Sequence, residues 1–128
     1  MSTEPVRPHR LAVFGIDLVV VLAFAAIGRL SHHEDLSVTG YLTTAWPFIL
    51  GLAAGSAIGA ATHRRPDGFA VGGIVWVSTL VIGMILRLLS GQGAALPFVI
   101  VATLFLGLAF FAWRLVAMLV RRGRSRAS

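Results

Sequence analysis

Apolar and polar positions in this chain separate into long blocks, with neither the strict alternation of strands nor the narrow stripe of a surface helix. Apolar runs cover about residues 11–30, 44–62, 69–89 and 97–120, and polar residues gather between them and at the two ends. A helix needs roughly 17–25 predominantly apolar residues to cross a bilayer, so each block predicts one spanning helix. The fold class expected is an all-α integral membrane protein: a single domain over 1–128 with four transmembrane helices. The connections are short, which makes neighbouring helices antiparallel and gives an up-down bundle.

Local signals refine the boundaries. Thr43 or Thr44 is placed to cap the second helix, with Pro47 in its first turn, and Pro97 plays the same part for the fourth. Arg64-Arg65-Pro66-Asp67-Gly68 and Ser90-Gly91-Gln92-Gly93 read as tight turns. The ends, 1–9 and 123–128, read as loose polar tails. The first block is longer than a signal-peptide core and is interrupted by Asp17, so it is expected to remain as a span. A faint internal repeat pairs Arg29-Leu30-Ser31 with Arg87-Leu88-Leu89-Ser90, and Pro47-Phe48-Ile49 with Pro97-Phe98-Val99.

Charge adds an orientation. Arg7 and Arg10 precede the first span, Arg64 and Arg65 join the second to the third, and Arg121, Arg122, Arg124 and Arg126 follow the fourth. The connections 31–43 and 90–96 contain no arginine. By the positive-inside rule both termini are cytoplasmic and the two arginine-free loops face outward. Such bias opposes a dual-topology dimer; a homo-oligomer would be parallel. Trp46 and Tyr41 suit an outer aromatic belt and Trp113 an inner one.

Composition narrows the chemistry. The chain is 57% hydrophobic and 12% charged, too apolar for one small soluble core. Cysteine and lysine are absent, which excludes disulfides, thiolate chemistry and Schiff bases. The basic residues are all arginine, in keeping with a GC-rich bacterial genome and a plasma-membrane location. A net charge of +6 points to anionic lipid headgroups and not to nucleic acid. No cofactor, metal or catalytic constellation is expected, and the chain does not read as an enzyme.

Three groups of residues stand out. Asp17 lies about six residues inside the first span, too short to reach the interface, and an aspartate at membrane depth calls for a partner or a wet cavity. Arg114 lies about seven residues before Arg121, so both groups sit about 9–10 Å inside the same boundary. The expectation is an Asp17–Arg114 pair, serving either as a structural pin or in proton or ion coupling; the alternative is separate environments, with Arg114 snorkelling to the interface. Arg29, Arg87, His32 and His33 gather at the outer ends, where they form an anion-attracting vestibule or reach for lipid phosphates. Gly51, Gly55 and Gly59 recur every four residues and so share one face of the second helix. That face packs inside the bundle, against another subunit or along a pore, with Gly72, Gly73 and Gly83 offering grooves on the third.

Asp17, Gly28-Arg29 with histidine just beyond, Thr44-Ala45-Trp46-Pro47-Phe48 with Gly51, Arg87, Pro97-Phe98-Val99 and Trp113-Arg114 together resemble a known pattern. It is that of a family of small four-helix membrane proteins of unknown function, found mainly in actinobacteria and haloarchaea. The resemblance implies the fold and a membrane location and brings no mechanism. Two function classes remain: a small transporter or channel subunit with an outward anion vestibule and an intramembrane Asp17, or a non-transporting scaffold that packs on a partner through its glycine stripe.

Overall fold

The computed structural model describes residues 6–31 and 37–127, with side chains described over 9–29 and 37–124. Four helices follow one another: α1 (Val6–Ser31), α2 (Val38–Ala61), α3 (Phe69–Leu89) and α4 (Leu96–Ala127). Each is long and apolar enough to cross a membrane, which marks a multi-pass membrane protein. Leu11, Val19, Leu50, Val81, Leu104, Leu108 and Val116 are among the large apolar side chains exposed on the outer faces. Lipid is a natural solvent for such a surface and water is not.

The helices run alternately up and down around a square. α1 packs on α2 and α4, and α3 packs on α2 and α4. The core is a column of Val21, Phe24, Phe48, Leu52, Val75, Ala102, Leu106 and Phe110. Lipid tails are as apolar as leucine, so helix association in a bilayer depends on close packing more than on water exclusion. The glycine stripe meets that need between α2 and α3. A Cβ on Gly51 would lie 2.9 Å from the Thr79 Cα, and one on Gly55 would lie 3.1 Å from the Val75 Cα. Gly51, Gly55 and Gly59 are all buried. The stripe is therefore used within the bundle, between α2 and α3.

The helix ends differ from the sequence expectation at three places. α2 starts at Val38, where the Ser37 hydroxyl accepts from the Gly40 N–H. The polar run Thr39-Gly40 with Thr43-Thr44 reads as loop, yet it continues a helix whose polar groups bond to its own backbone: the Thr43 hydroxyl donates to the Thr39 carbonyl at 2.8 Å. Pro47 consequently lies in the third turn, inside the helix, while Pro97 stays in the first turn of α4. The two prolines are not equivalent, which removes that half of the internal repeat. The tails also wind further than their polarity suggests: α1 begins at Val6 and α4 continues to Ala127.

Candidate functional site

Two polar centres lie at opposite ends of the bundle. The first is at the end that holds the α1 N-terminus, the α2–α3 turn and the C-terminal part of α4. Asp17 and Arg114 meet there in a bidentate pair: Nη1 to Oδ1 and Nη2 to Oδ2, each 2.9 Å. Both side chains are withdrawn from the surface, at 1% and 0% exposure. Arg114 also donates from Nε and Nη2 to the Pro66 carbonyl, at 3.2 and 3.0 Å, and from Nη1 to the Phe110 carbonyl at 3.3 Å. Trp113 Nε1 donates to Asp17 Oδ1 at 2.9 Å. One guanidinium thus ties α1, α4 and the α2–α3 turn together.

Three parts of this centre escape a sequence reading. Trp113, an apparent belt residue, is a ligand of the carboxylate. Pro66 contributes through its carbonyl, an atom that no side-chain pattern reports. Gly72 makes the room: a Cβ there would stand 2.8 Å from the Arg114 Cδ. Gly83 similarly receives the Phe48 ring. The signal available in sequence was the matched depth of Asp17 and Arg114, and the structure brings those two together.

Beside this pair, nearer the helix ends, Asp67 forms a second knot. It accepts two bonds from Arg65, at 3.0 and 3.1 Å, and one from Arg121 Nη1 at 2.6 Å. The His9 Nε2 atom lies 3.3 Å from its Oδ2. Burial alone would push the Asp67 carboxyl up, but the Arg65 hydrogen bonds and charge, with Arg121 and His9, outweigh it. The net effect holds Asp67 below the usual carboxylate range. A crevice of about 260 Å³ opens next to these groups, lined by Arg10, Phe14, Asp17, Ser56, Ala60 and Arg114 among others.

At the opposite end, Arg29 and Arg87, each in the last turn of its helix, line one pocket of about 410 Å³ with Thr43, Thr44, Gln92 and Phe98. Arg29 Nη1 donates to the Thr44 hydroxyl at 3.0 Å. Arg87 donates to the Gly93 carbonyl at 2.9 Å and to Gln92 Oε1 at 3.1 Å, and it sits over the Phe98 ring, 4.0 Å from the centroid. His32 and His33, expected in this vestibule, lie outside the described residues.

Gln92 holds this end together for a reason that begins with Pro47. Proline has no N–H, so the Thr43 carbonyl one turn earlier loses its helical donor. Gln92 Nε2 supplies the bond instead, at 3.0 Å. The end of α3 aims the side chain: Gly91, at φ +83°, donates to the Leu88 carbonyl, and Gln92 N–H donates back to the Arg87 carbonyl at 2.9 Å. This is a Schellman closure, which needs a left-handed residue and so favours glycine.

Between the two centres the interior is apolar and filled. Phe24 packs on Phe48, Phe98 and Phe105 with ring centroids 5.2, 5.7 and 6.0 Å apart, and Val21, Leu52, Val75 and Leu106 lie beyond them. The Thr79 hydroxyl, buried in this layer, finds no hydrogen-bond partner. Arg29 is twelve residues beyond Asp17 on α1, about 18 Å along the helix.

Among the described residues no group of three or more His, Cys, Asp or Glu could hold a metal ion. No curated protein and no solved structure matches this chain significantly. One family model does, over residues 14–117, a span that contains Asp17, Arg29, Arg87, Trp113 and Arg114 and leaves out His9 and Arg121. The chain belongs to DUF3054, a family of proteins of unknown function.

Proposed function

We propose that this protein is a membrane-embedded anion-binding bundle: the Arg29–Arg87 pocket takes an anionic group at one end, and the bundle beneath it stays closed. The observation that carries the proposal is the filled aromatic layer of Phe24, Phe48, Phe98 and Phe105, which makes the pocket blind. In this reading Asp17 and Arg114 are a staple and take no part in ion movement. A buried carboxylate and guanidinium that satisfy each other hold three segments in place, and the pocket then stands on a rigid frame. The charge bias along the chain turns the pocket outward and both termini to the cytoplasm, in the plasma membrane of a bacterium. The activity proposed is binding; no step of bond chemistry is part of it.

The test is paired. In detergent micelles, polyvalent anions raise the melting temperature of the wild type and not of Arg29→Gln or Arg87→Gln. In proteoliposomes loaded with the same anion, the wild type produces no flux above protein-free vesicles. Flux that disappears in Arg87→Gln would overturn the proposal in favour of transport. One observation favours that second reading: the crevice at the far end reaches Asp17 and Arg114. Openings on opposite faces of one core are the starting geometry for alternating access.

A further inference from the structure

We infer that the crevice between α1 and α2 seats one acyl chain of an anionic phospholipid, with the lipid's phosphate against Arg10; this stands apart from the Arg29–Arg87 pocket. The first argument is the shape of the walls. Arg10, Phe14 and Asp17 follow the i, i+4, i+7 spacing that puts side chains on one helical face, and all three line the crevice. On α2 the facing residues are Ser56, Ala57 and Ala60, too small to close the gap. The floor is Val75 and the Asp17–Arg114 pair, none of them more than 1% exposed.

The second argument is the opening and its direction. Leu11, at the lip, is 76% exposed, and Ala57 is exposed as well, so the crevice opens sideways onto the face that meets lipid. From Arg10 to Asp17 it descends about 10 Å along the helix. A lipid chain enters the hydrocarbon core in the same direction, from headgroup level inward. The third argument is charge. Among the described residues the Arg10 guanidinium makes one long contact, from Nη2 to the Arg64 carbonyl at 3.5 Å, which leaves its fork able to take a phosphate. Arg64 itself is exposed, and Asp67 at this end is already held by Arg65 and Arg121. An apolar slot with a cation at its headgroup end has the charge pattern that suits an anionic lipid. Water finds few partners there: Asp17 and Arg114 satisfy each other, and the remaining wall, Ser56 and Arg10 aside, is apolar. A chain seated in the crevice also keeps water from Asp17.

The experiment uses the full chain, delipidated in maltoside micelles. Phosphatidylglycerol and phosphatidylcholine with identical acyl chains are titrated in, and bound lipid is read by native mass spectrometry. The expected result is one retained phosphatidylglycerol per chain, at a concentration about fivefold below that for phosphatidylcholine, the factor that one arginine near a membrane surface supplies. Arg10→Gln loses that preference and binds both lipids alike. Ala57→Phe, which keeps Arg10 and fills the slot, loses retention of both. Ala53→Phe, one turn away on the same exposed face, binds as the wild type does. As an independent readout, Ser56→Cys is treated with a water-soluble thiol reagent, and saturating phosphatidylglycerol blocks its modification. Undiminished binding by Ala57→Phe assigns the lipid to surface arginines and overturns the proposal. Equal binding of the two lipids, unchanged in Arg10→Gln, overturns the phosphate contact and with it the anionic assignment. Retention of neither lipid, or modification of Ser56→Cys at one rate with and without lipid, means that no chain fills the crevice and overturns the proposal as well.

Discussion

Replacing Asp17 by asparagine keeps the size of the side chain and removes the one charge that balances Arg114. The guanidinium then stays at 0% exposure with carbonyl partners at Pro66 and Phe110 and no counter-charge in contact. Removing one member of a buried pair costs about 3–5 kcal/mol, most of it the penalty of the stranded charge. In a bilayer the separated helices remain inserted, so the lower end, about 3 kcal/mol, is the expected loss for Asp17→Asn. Arg114→Gln is expected to cost less, because a stranded carboxylate can take up a proton whereas a guanidinium cannot give one up. Arg114→Lys retains the charge but loses the fork and the reach to both Pro66 and Asp17, and should resemble Arg114→Gln more than wild type. Combining Asp17→Asn with Arg114→Gln recovers about 2 kcal/mol of the summed single losses, since neither charge is left alone. The assay is reversible unfolding of the four proteins in mixed maltoside–dodecyl sulfate micelles, followed by tryptophan fluorescence and far-UV circular dichroism. Single losses under 1 kcal/mol that add within about 0.5 kcal/mol would refute the staple.

Three further predictions follow from separate contacts. Gly51→Ala forces a Cβ to within 3.0 Å of the Thr79 backbone and should cost about 1–3 kcal/mol, whereas Gly15→Ala meets nothing within 4 Å and should be neutral or slightly stabilising; equal melting shifts would remove the close α2–α3 approach. Gln92→Ala uncovers the Thr43 carbonyl and should cost about 0.5–1 kcal/mol, the bond being exposed, and much of that should vanish in a Pro47→Ala background, where residue 47 regains its N–H; strict additivity in a melting cycle contradicts the exchange. Asp67, whose carboxyl is held below its ordinary value, binds fewer protons folded than unfolded as pH falls, so its contribution is present above about pH 4 and lost below it. Asp67→Asn should therefore lower the melting temperature at neutral pH, and the gap from wild type should close on acidification; a constant gap from pH 7 to 3 contradicts the Asp67 clamp.

Much of the fold is written in the hydropathy of the chain, because twenty apolar residues in a row have few alternatives to a spanning helix. The interior ion pair was legible for the same reason: a charge at membrane depth is costly enough that Asp17 and Arg114, at one level on different helices, had few other partners. Arg29 and Arg87 share a pocket because both end helices that run in the same direction. What the sequence hid is backbone chemistry and space. Pro66 acts through a carbonyl, Gln92 through a carbonyl that Pro47 exposes, and Gly72 through the side chain it lacks. Trp113 satisfied a belt rule equally well from a position where its N–H turns inward. α2 starts earlier than composition predicts, because threonine and glycine resemble a loop in composition while Ser37 provides the cap.

Whether the pocket is blind can be measured directly, because the sequence contains no cysteine. Single cysteines are placed at the exposed Ala95 in the pocket wall and at Thr79 and Ala102 in the core, both 0% exposed. The variants, in proteoliposomes, are then treated with a small membrane-impermeant thiol reagent from each side in turn. A blind pocket predicts rapid modification of Ala95→Cys from one side only, with Thr79→Cys and Ala102→Cys reacting from neither until the protein is denatured. Modification of Thr79→Cys at a rate near that of Ala95→Cys, and its suppression by a polyvalent anion, would instead reveal a hydrated path through the bundle.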